Sequence, residues 1–348
     1  MPSLPRVQAI VVHHEGRRLL ESCLESLLQI EGVRLDVVIV ANACPEPLPA
    51  GVRSPRVHVV VSPRSLGFGA ANNLGLRWAA AELPAPDAFY FVNNDTFTEP
   101  RALETLCSEL RSDPRCGVVG PRLRIQGSEH LLNSLGLNVS TLGEAWDEGI
   151  GRPAAECGDL VEPREALAVT GSALLVRAET LAEIGGWSEL YSFYYEDVDL
   201  CLSARARGWT VMVVPRAIVD HAISATSDRI SDFKRRLSWR NQLLLLAVHW
   251  PWSLLLEVSP RLVGGQCRSL LRRLRLRAYG DAWLQWQAWL GALRLLPAAL
   301  LARRRRGGET GWTRLLRPAG SVPRIVLPRS RPRAAEGDGL AVGAGERR

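Results

Sequence analysis

Short apolar runs rich in β-branched residues alternate with segments whose apolar residues recur at helical spacing over the first hundred residues. Buried strands are predicted for VQAIVV (7–12), DVVIVA (36–41), VHVVV (57–61) and AFYFVN (88–93). Helices are predicted between them, over 17–30 and 70–83. This alternation predicts an α/β fold whose mostly parallel sheet is covered by helices on both faces.

The pattern is less regular in the middle of the chain. A helix is predicted over 101–110, and a strand over 169–177 is followed by a short helix that stops at Gly185 and Gly186. TVMVVP (210–215) predicts the last strand. The glycine-rich, polar region 127–165 has no clear periodicity and is left without an element.

From about Ser231 the chain becomes rich in tryptophan, leucine and arginine. The stretch 243–256 is apolar but contains His249 and Pro251, and it is shorter than the roughly 20 residues that span a bilayer. Two interpretations stay open: helices that lie in a membrane interface, or a helical hairpin packed on the main domain. One face of the last segment combines Trp283, Trp286, Leu290, Leu293 and Pro297 with Arg294 and the arginines at 303–306.

Composition is that of a globular protein. The chain has 348 residues, 47% hydrophobic content and a formal net charge of +7, and its basic residues are concentrated in 261–306. Leucine and tryptophan alternate with these arginines, which argues against a nucleic-acid partner. The seven cysteines form no CxxC pair, and the apolar run 7–12 is too short for a signal peptide or membrane span. A cytoplasmic protein is predicted.

Three acidic residues, Glu196, Asp197 and Asp199, stand in the stretch YYEDVDLC (194–201) at the start of a predicted helix that stops at Gly208. Acids in a first helical turn are favoured by the helix dipole and by unpaired N–H groups. The alternative is that one carboxylate is a general base at the edge of a cleft. The stretch by itself does not decide between the two.

Two further polar groups follow predicted strands, where parallel sheets place their ligands. Asp95, in FVNNDT, either caps the next helix or binds a divalent cation together with substrate phosphates. His221, after the last strand, offers a nitrogen ligand that suits Mn²⁺ somewhat better than Mg²⁺. The loop before the second helix has glycines at 67 and 69, which allow backbone N–H groups to approach a phosphate.

Several segments occur in an order that is specific as a combination: VQAIVV, VIVANA, LGFGAANNLGLRWA, FVNNDT, VTGSALLVR, GGW and YYEDVDLCLSARARGW, then His221-x-x-Ser224 and the WRN of 239–241. In this order they resemble a family 2 glycosyltransferase with the GT-A fold, in its rhamnosyltransferase-like branch. The resemblance covers about residues 7–242. It implies a GT-A domain over 1–230, and we expect a basic helical extension over 231–306 that associates with a membrane and a mobile tail over 307–348.

The resemblance also implies roles for individual residues. Asp197 is expected to be the base, with Glu196 as second candidate, and Asp199 is expected to stabilise the helix end or orient its neighbours. Asp95, with His221, is expected to bind Mg²⁺ or Mn²⁺. The donor site is expected to include His13, Glu15, Asn42, Gly67, Asn72, Asn73, Asn94 and Asp95, and the acceptor side Gly171, Trp187 and Tyr195. Region 127–165 is interpreted as an insertion on the acceptor side.

The implied activity is inverting, metal-dependent transfer from a nucleotide sugar to a polysaccharide or polyprenyl-linked acceptor in bacterial surface glycan synthesis, at the inner face of the plasma membrane. Three departures from the family pattern lie around the donor pocket: His13, His14 and Glu15 replace Thr-Tyr-Asn, Ala41 replaces an aspartate, and Ser65 replaces an asparagine. They leave a non-catalytic scaffold in a polysaccharide assembly complex as an alternative. A nucleotidyltransferase would need a basic glycine-rich loop after the first strand, which 13–16 does not supply.

Overall fold

A computed structural model of the chain describes residues 4–158, 160–222, 231–305 and 311–323. The strands are β1 Arg6–His13, β2 Arg34–Asn42, β3 Val57–Ser62, β4 Ala88–Asn93, β5 Thr96–Thr98, β6 Cys116–Ile125, β7 Ser128–Ser134, β8 Leu137–Val139, β9 Ala145–Asp147, β10 Arg164–Glu165, β11 Ala173–Arg177 and β12 Thr210–His221. The helices are α1 Arg17–Leu28, α2 Phe68–Glu82, α3 Ala102–Ser112, α4 Ala178–Ile184, α5 Glu196–Arg205, α6 Asp232–His249, α7 Trp252–Arg275 and α8 Tyr279–Arg305.

A ten-stranded mixed sheet forms the centre, with its main path in the order β10-β12-β6-β11-β4-β1-β2-β3. β4, β1, β2 and β3 run parallel to one another, and so do β6 and β12. β11 lies antiparallel between β4 and β6. The carboxyl ends of β1, β2 and β4 therefore meet at one edge of the sheet, where an α/β fold binds its ligands.

The alternation of side chains along β1 divides the core into two layers. Val7, Ala9 and Val11 are buried on the face that packs against α1 and α3, while Ile10 is buried on the face that packs against α2, α5 and α6. Each layer is closed by the leucines of its helices, as the helical periodicity predicts. The α/β fold class is confirmed.

Region 127–165 contains real elements despite its lack of periodicity. β7 pairs antiparallel with β6, and β8 and β9 form a separate two-stranded hairpin. These strands have two to seven residues, too few for an alternating pattern to stand out against loops. β12 is longer than predicted, because it continues past Pro215 through a register shift between Val214 and Ile218 and ends at His221.

The first helix of the C-terminal region belongs to the main body. Leu244, Leu245 and Leu246 of α6 are buried in the same core layer as β1 and β2. His249 Nε2 lies 2.9 Å from Asp199 Oδ1, and both side chains are only 2% exposed. The predicted boundary at 230/231 therefore separates two segments that share one core.

Residues 311–317, predicted as part of a mobile tail, also pack on the body. Trp312 is buried and meets Trp250 edge-on, with 5.5 Å between ring centroids. The backbone N–H of Arg317 donates to the Val139 carbonyl. A single tryptophan in a polar segment gives no periodic signal, and burial of its ring holds this segment in place.

α7 and α8 expose many of their apolar side chains, among them Leu256, Leu271, Tyr279, Trp283 and Trp286. Within the described residues, no helix is both long and apolar enough to cross a membrane.

Candidate active site

A cleft of about 730 Å³ opens at the carboxyl ends of β1, β2 and β4. Its other walls come from the β8–β9 hairpin, from residues 170–172, from the start of α5 and from α6. Asp95 and Asp197 both line it, although they are 102 positions apart in the chain. The fold thus brings together the two carboxylates that the sequence singles out.

The loop that leads into α5 has an unusual backbone. Ser192, Tyr194 and Tyr195 have φ angles of 65°, 69° and 75°, the left-handed region that residues other than glycine rarely adopt. Such conformations cost free energy and persist only where surrounding contacts hold them. This loop immediately precedes Glu196 and Asp197, so its conformation sets where their carboxyl groups lie.

Two residues of α6 hold this loop from outside. Asn241 is fully buried, and its Nδ2 lies 2.8–2.9 Å from the carbonyl oxygens of Tyr191, Phe193 and Tyr194. Arg240 Nη2 donates to the Tyr191 carbonyl at 2.6 Å. The WRN segment therefore acts on the acidic stretch through direct hydrogen bonds.

A glycine allows the same loop to approach α2. The N–H of Phe68 donates to the Ser192 carbonyl at 2.7 Å, and a Cβ at Gly67 would lie 2.7 Å from that oxygen. Any larger residue at 67 would push the loop away. Gly67 thus acts on the shape of the cleft, although it does not line it.

Asp197 has the environment of a base. Its Oδ2 accepts from the Gly171 N–H at 2.9 Å and its Oδ1 from the Val198 N–H at 2.8 Å. Burial raises the pKa of the carboxyl, and these N–H groups partly offset the shift. The carboxylate is fixed in orientation and is more basic than an aspartate in water.

Glu196 differs from its neighbour. It is only 9% exposed, and its Oε2 is buried without a hydrogen-bond partner among the described residues. Burial, reinforced by the charge of Asp197, raises its pKa well above the usual range. A carboxyl in this setting favours the protonated form, so Asp197 is the better candidate for the base.

Asp95 and His221 form a pair suited to a cation. His221 Nε2 lies 3.3 Å from Asp95 Oδ1, and His221 Nδ1 lies 2.7 Å from Asn133 Oδ1. An amide oxygen only accepts, so this contact places a proton on Nδ1 and leaves Nε2 as the ring nitrogen that faces the carboxylate. Asp95 Oδ1 is buried and accepts no hydrogen bond within the described residues. These two atoms fit a divalent cation, although no cluster of three metal-ligating side chains exists in the described chain.

Near β1 and β2, several predicted donor residues also support each other. Asn94 Nδ2 donates to His13 Nδ1 and to the Glu15 carbonyl, and burial lowers the pKa of His13. Asn42 holds the loop after β3 through paired hydrogen bonds with the backbone of Leu66. Glu15, Asn42 and Asn94 line the cleft, whereas His13 lies behind it.

Five predicted site residues, His13 among them, lie outside the cleft lining. Besides Gly67, Asn72 donates to the Phe68 carbonyl of its own helix, and Asn73 binds the backbone of Trp187 with both ends of its amide. Trp187 packs edge-on against Phe68 and Phe91 in the core. Asn72 and Asn73 act on the wall from behind, because their amides are bound to the protein's own backbone. On the acceptor side, Gly171 and Tyr195 do line the cleft, and Ser224 of the sequence motif lies outside the described residues.

Asp147 and Lys234 are not among the predicted site residues, yet both line the cleft. Asp147 ends β9, and burial raises its pKa to about 6, with the charge of nearby Asp197 adding to the shift. Lys234 is the one lysine of the chain, and its ammonium lies 5.2 Å from the centre of the Tyr194 ring. Lysine content would have flagged Lys234, but no pattern marks Asp147.

The charge balance of the cleft is negative. Glu15, Asp95, Asp147, Glu196 and Asp197 all line it, and among the described lining residues Lys234 is the only lysine or arginine. A diphosphate would be repelled by this set of side chains without an added cation. The site therefore combines a fixed carboxylate base with a place for a metal ion and an anionic substrate.

The sheet order and the cleft at its carboxyl edge are those of a GT-A fold. The sequence model of the family described as "Glycosyltransferase like family 2" matches residues 5–241, and the chain belongs to this family. It is a glycosyltransferase.

Two curated relatives are transferases or glycan biosynthesis proteins. The N-acetylglucosaminyl-diphospho-decaprenol L-rhamnosyltransferase of Mycobacterium tuberculosis is 30% identical over 219 residues, which cover 58% of this chain and 71% of that protein. The O-antigen biosynthesis protein RfbC of Myxococcus xanthus is 26% identical over 260 residues, 71% of this chain and 19% of that protein. The similarity is thus to the rhamnosyltransferase-like part of the family.

Solved structures share the fold at lower identity. Mannosyltransferase PcManGT from Pyrobaculum calidifontis, in complex with GDP-Man and Mn²⁺, is 16% identical with a TM-score of 0.52 over 87% of this chain and 88% of that one. GalNAc-T7 with UDP, GalNAc and Mn²⁺ is 14% identical with a TM-score of 0.56, and the match covers 72% of this chain and 49% of that one. These likenesses support the GT-A fold.

Proposed function

We propose that the chain is an inverting glycosyltransferase that moves a sugar from a nucleotide-sugar donor to a polyprenyl-linked or polysaccharide acceptor in bacterial surface glycan synthesis. One observation carries the proposal: the Asp95–His221 pair and the Asp197 carboxylate open onto the same cleft. The mycobacterial relative's name specifies a diphospho-decaprenol-linked sugar as acceptor, which supports the lipid-linked form.

In the proposed reaction, Asp197 removes the proton from an acceptor hydroxyl while that oxygen attacks the anomeric carbon of the donor sugar. The new bond forms on the face opposite the nucleotide diphosphate, which leaves with the bonding electron pair, so the configuration inverts. The N–H groups of Gly171 and Val198 hold the carboxylate in one orientation. The raised pKa of Asp197 makes it a stronger proton acceptor.

Asp95 and His221 would hold Mg²⁺ or Mn²⁺ together with oxygens of the donor diphosphate. When bound, the cation neutralises negative charge on the leaving diphosphate. The buried Oδ1 of Asp95 and the nearby imidazole nitrogen are the observations that fit such an ion. An imidazole ligand favours Mn²⁺ over Mg²⁺.

We also propose that the protein binds the cytoplasmic face of the plasma membrane through α7 and α8. Their exposed leucines and tryptophans stand among arginines, a combination that suits the interface of an anionic bilayer. Flotation with anionic and with neutral vesicles tests this, and equal absence of the protein from both vesicle fractions would contradict it.

Asp197→Asn tests the assignment of roles. With Mn²⁺ and a panel of nucleotide sugars, we expect the wild type to transfer and the variant to lose about 10²–10⁴-fold in kcat, the range for removal of a general base. Donor affinity measured by calorimetry should stay within a factor of a few, because the amide keeps the volume of the carboxylate. Normal transfer by Asp197→Asn would refute the assignment.

The scaffold alternative makes a different prediction in the same calorimeter. Of the residues that depart from the family pattern, His14, Glu15 and Ser65 line the cleft. If the wild type binds no member of the nucleotide-sugar panel in the presence of Mn²⁺, the scaffold is favoured over the enzyme.

A further inference from the structure

Three cavities follow one another along α6. Lys234 and Ser238 line the catalytic cleft, Trp239 and Gln242 line a pocket of about 270 Å³, and Leu243 and Leu244 line a groove of about 400 Å³. A helix rises about 1.5 Å per residue, so the path from Lys234 to Leu244 is about 15 Å long. Leu262 and Gln266 of α7 line both the pocket and the groove, so these two cavities are adjacent.

The middle pocket is suited to an anion. Arg261 and Arg273 both line it, and the Arg273 guanidinium lies 4.6 Å from the centre of the Trp239 ring. Arg273 also donates to Ser269 and Gln285, which fix its orientation. Glu144 is the one carboxylate in the described lining, and its Oε2 already accepts from Ser140. Two guanidinium groups therefore outweigh one carboxylate, as phosphate recognition requires.

The groove beyond the pocket is almost entirely apolar. It lies between α6, α7 and α8, and its walls include Leu243, Leu262, Val263, Leu293 and Leu296. Val263 is 58% exposed and Leu293 is 63% exposed. Exposed apolar surface of this kind marks a binding site for an apolar partner.

We propose that these cavities bind the acceptor as one elongated ligand, a sugar diphosphate attached to a polyprenyl chain. The sugar lies in the cleft, the diphosphate lies at Arg261 and Arg273, and the first isoprene units lie in the groove. Along α6, the carboxylates of the cleft are followed by the arginines of the pocket and then by the leucines of the groove. This order matches the sugar, the diphosphate and the isoprene chain of such a molecule. The inference rests on the proposed function for the identity of the sugar end, whereas the lipid diphosphate end can be tested without transfer.

Cys267 provides the readout. It lines the groove, and it is the exposed member of the seven cysteines, all of which lie in the described chain. The test uses the full chain without donor or metal and measures alkylation of Cys267 by N-ethylmaleimide with mass spectrometry. Cys157, which is half-buried and outside the groove, is the internal reference. With farnesyl diphosphate at ten times its dissociation constant, alkylation of Cys267 should slow about tenfold.

The paired variant Val263→Asp with Leu293→Asp places charges in the groove and should weaken farnesyl diphosphate binding by about tenfold or more. Arg261→Ala should weaken it less and leave farnesol unaffected. Leu276→Asp is the matched control, because Leu276 is 71% exposed, follows α7 and does not line the groove. The side chains of Val263, Leu293, Leu276 and Arg261 are all exposed, so we expect every variant to fold. Thermal denaturation checks this expectation.

Three results would overturn the inference: no protection of Cys267 by farnesyl diphosphate, equal loss of protection in Leu276→Asp, or protection by anionic phospholipid vesicles alone. The last would assign the groove to the membrane surface. Transfer assays separate this failure from that of the proposed function. Protection of Cys267 without any sugar transfer would support lipid diphosphate binding in the groove and contradict the proposed enzymatic function. Sugar transfer without protection would support the enzymatic function and contradict binding in the groove.

Discussion

Replacement of Asn241 by leucine tests how the active-site loop is held. Leucine keeps the number and branching of asparagine's side-chain heavy atoms but donates no hydrogen bonds, and its methyl groups make it bulkier in this fully buried position. The carbonyls of Phe193 and Tyr194 would lose contacts of 2.8 Å, while Tyr191 would keep its bond from Arg240. The loop would then have less to hold its left-handed residues in place.

The expected loss of stability follows from these contacts. Two hydrogen bonds to carbonyls in a buried setting correspond to about 2–4 kcal/mol of unfolding free energy. Left-handed conformations cost about 1–3 kcal/mol each, so the loop has a strong tendency to relax once the hydrogen bonds are gone. Relaxation displaces Asp197, and a shift of about 1 Å in a catalytic group costs on the order of 10² in rate.

Urea denaturation and the kcat of transfer measure the two effects. Gln8→Leu is the control, because Gln8 is a buried amide on β1 with one hydrogen bond, to the Pro84 carbonyl. We expect that control to lose no more than about 1.5 kcal/mol and to keep its kcat. If Asn241→Leu behaves like Gln8→Leu in both measurements, the loop is held by its own packing and the reasoning is refuted.

Three further predictions concern the charged groups of the cleft. Transfer should fall as pH is lowered through the raised pKa of Asp197, so the acid limb of the kcat profile should lie above the ordinary aspartate value of about 4; a limb at or below that value would contradict a buried base. The stability of Glu196→Gln relative to the wild type should increase as pH rises from the unfolded-state pKa of Glu196 to its raised folded-state pKa, because ionisation of this carboxyl is unfavourable in the folded wild type. Urea titrations at several pH values measure the difference in unfolding free energy between the two proteins. A difference that stays constant with pH would argue against the prediction. His221→Ala should raise the Mn²⁺ concentration for half-maximal transfer about 10–100-fold, with Asn42→Ala as a cleft control, and an unchanged Mn²⁺ dependence would exclude His221 as a ligand.

The sequence was most informative where a local pattern marks a buried element. The strands β1 to β4 and the helices between them were predicted close to their observed bounds, because runs of apolar β-branched residues and an apolar period of about 3.6 are recognisable. The acidic helix that stops near Gly208 was also predicted, since acids at its start and a glycine with φ 88° after its end are local signals.

Contacts between distant segments could not be predicted in this way. No local pattern indicates that Asn73 binds the backbone of Trp187, 114 positions away, or that His249 pairs with Asp199. The asparagines of LGFGAANN, Asn72 and Asn73, were therefore predicted to belong to the donor site. Their amides bind the protein's own backbone instead, and they do not line the cleft. The left-handed conformations of Ser192, Tyr194 and Tyr195 could not be predicted either, because the hydrogen bonds that hold this loop come from the distant Asn241.

α6 connects these observations and determines where the catalytic domain ends. Its Asn241 binds the active-site loop, its His249 pairs with Asp199 of α5, and its buried leucines belong to the core layer of β1. Its outer face meanwhile forms walls of the cleft, the arginine pocket and the apolar groove. A chain cut at residue 230 would lose the hydrogen bonds from Arg240 and Asn241 to the loop that precedes Glu196 and Asp197. In the proposed function, the segment that contacts the acceptor is the same segment that holds this loop, so we expect acceptor binding and catalytic geometry to be linked through one helix.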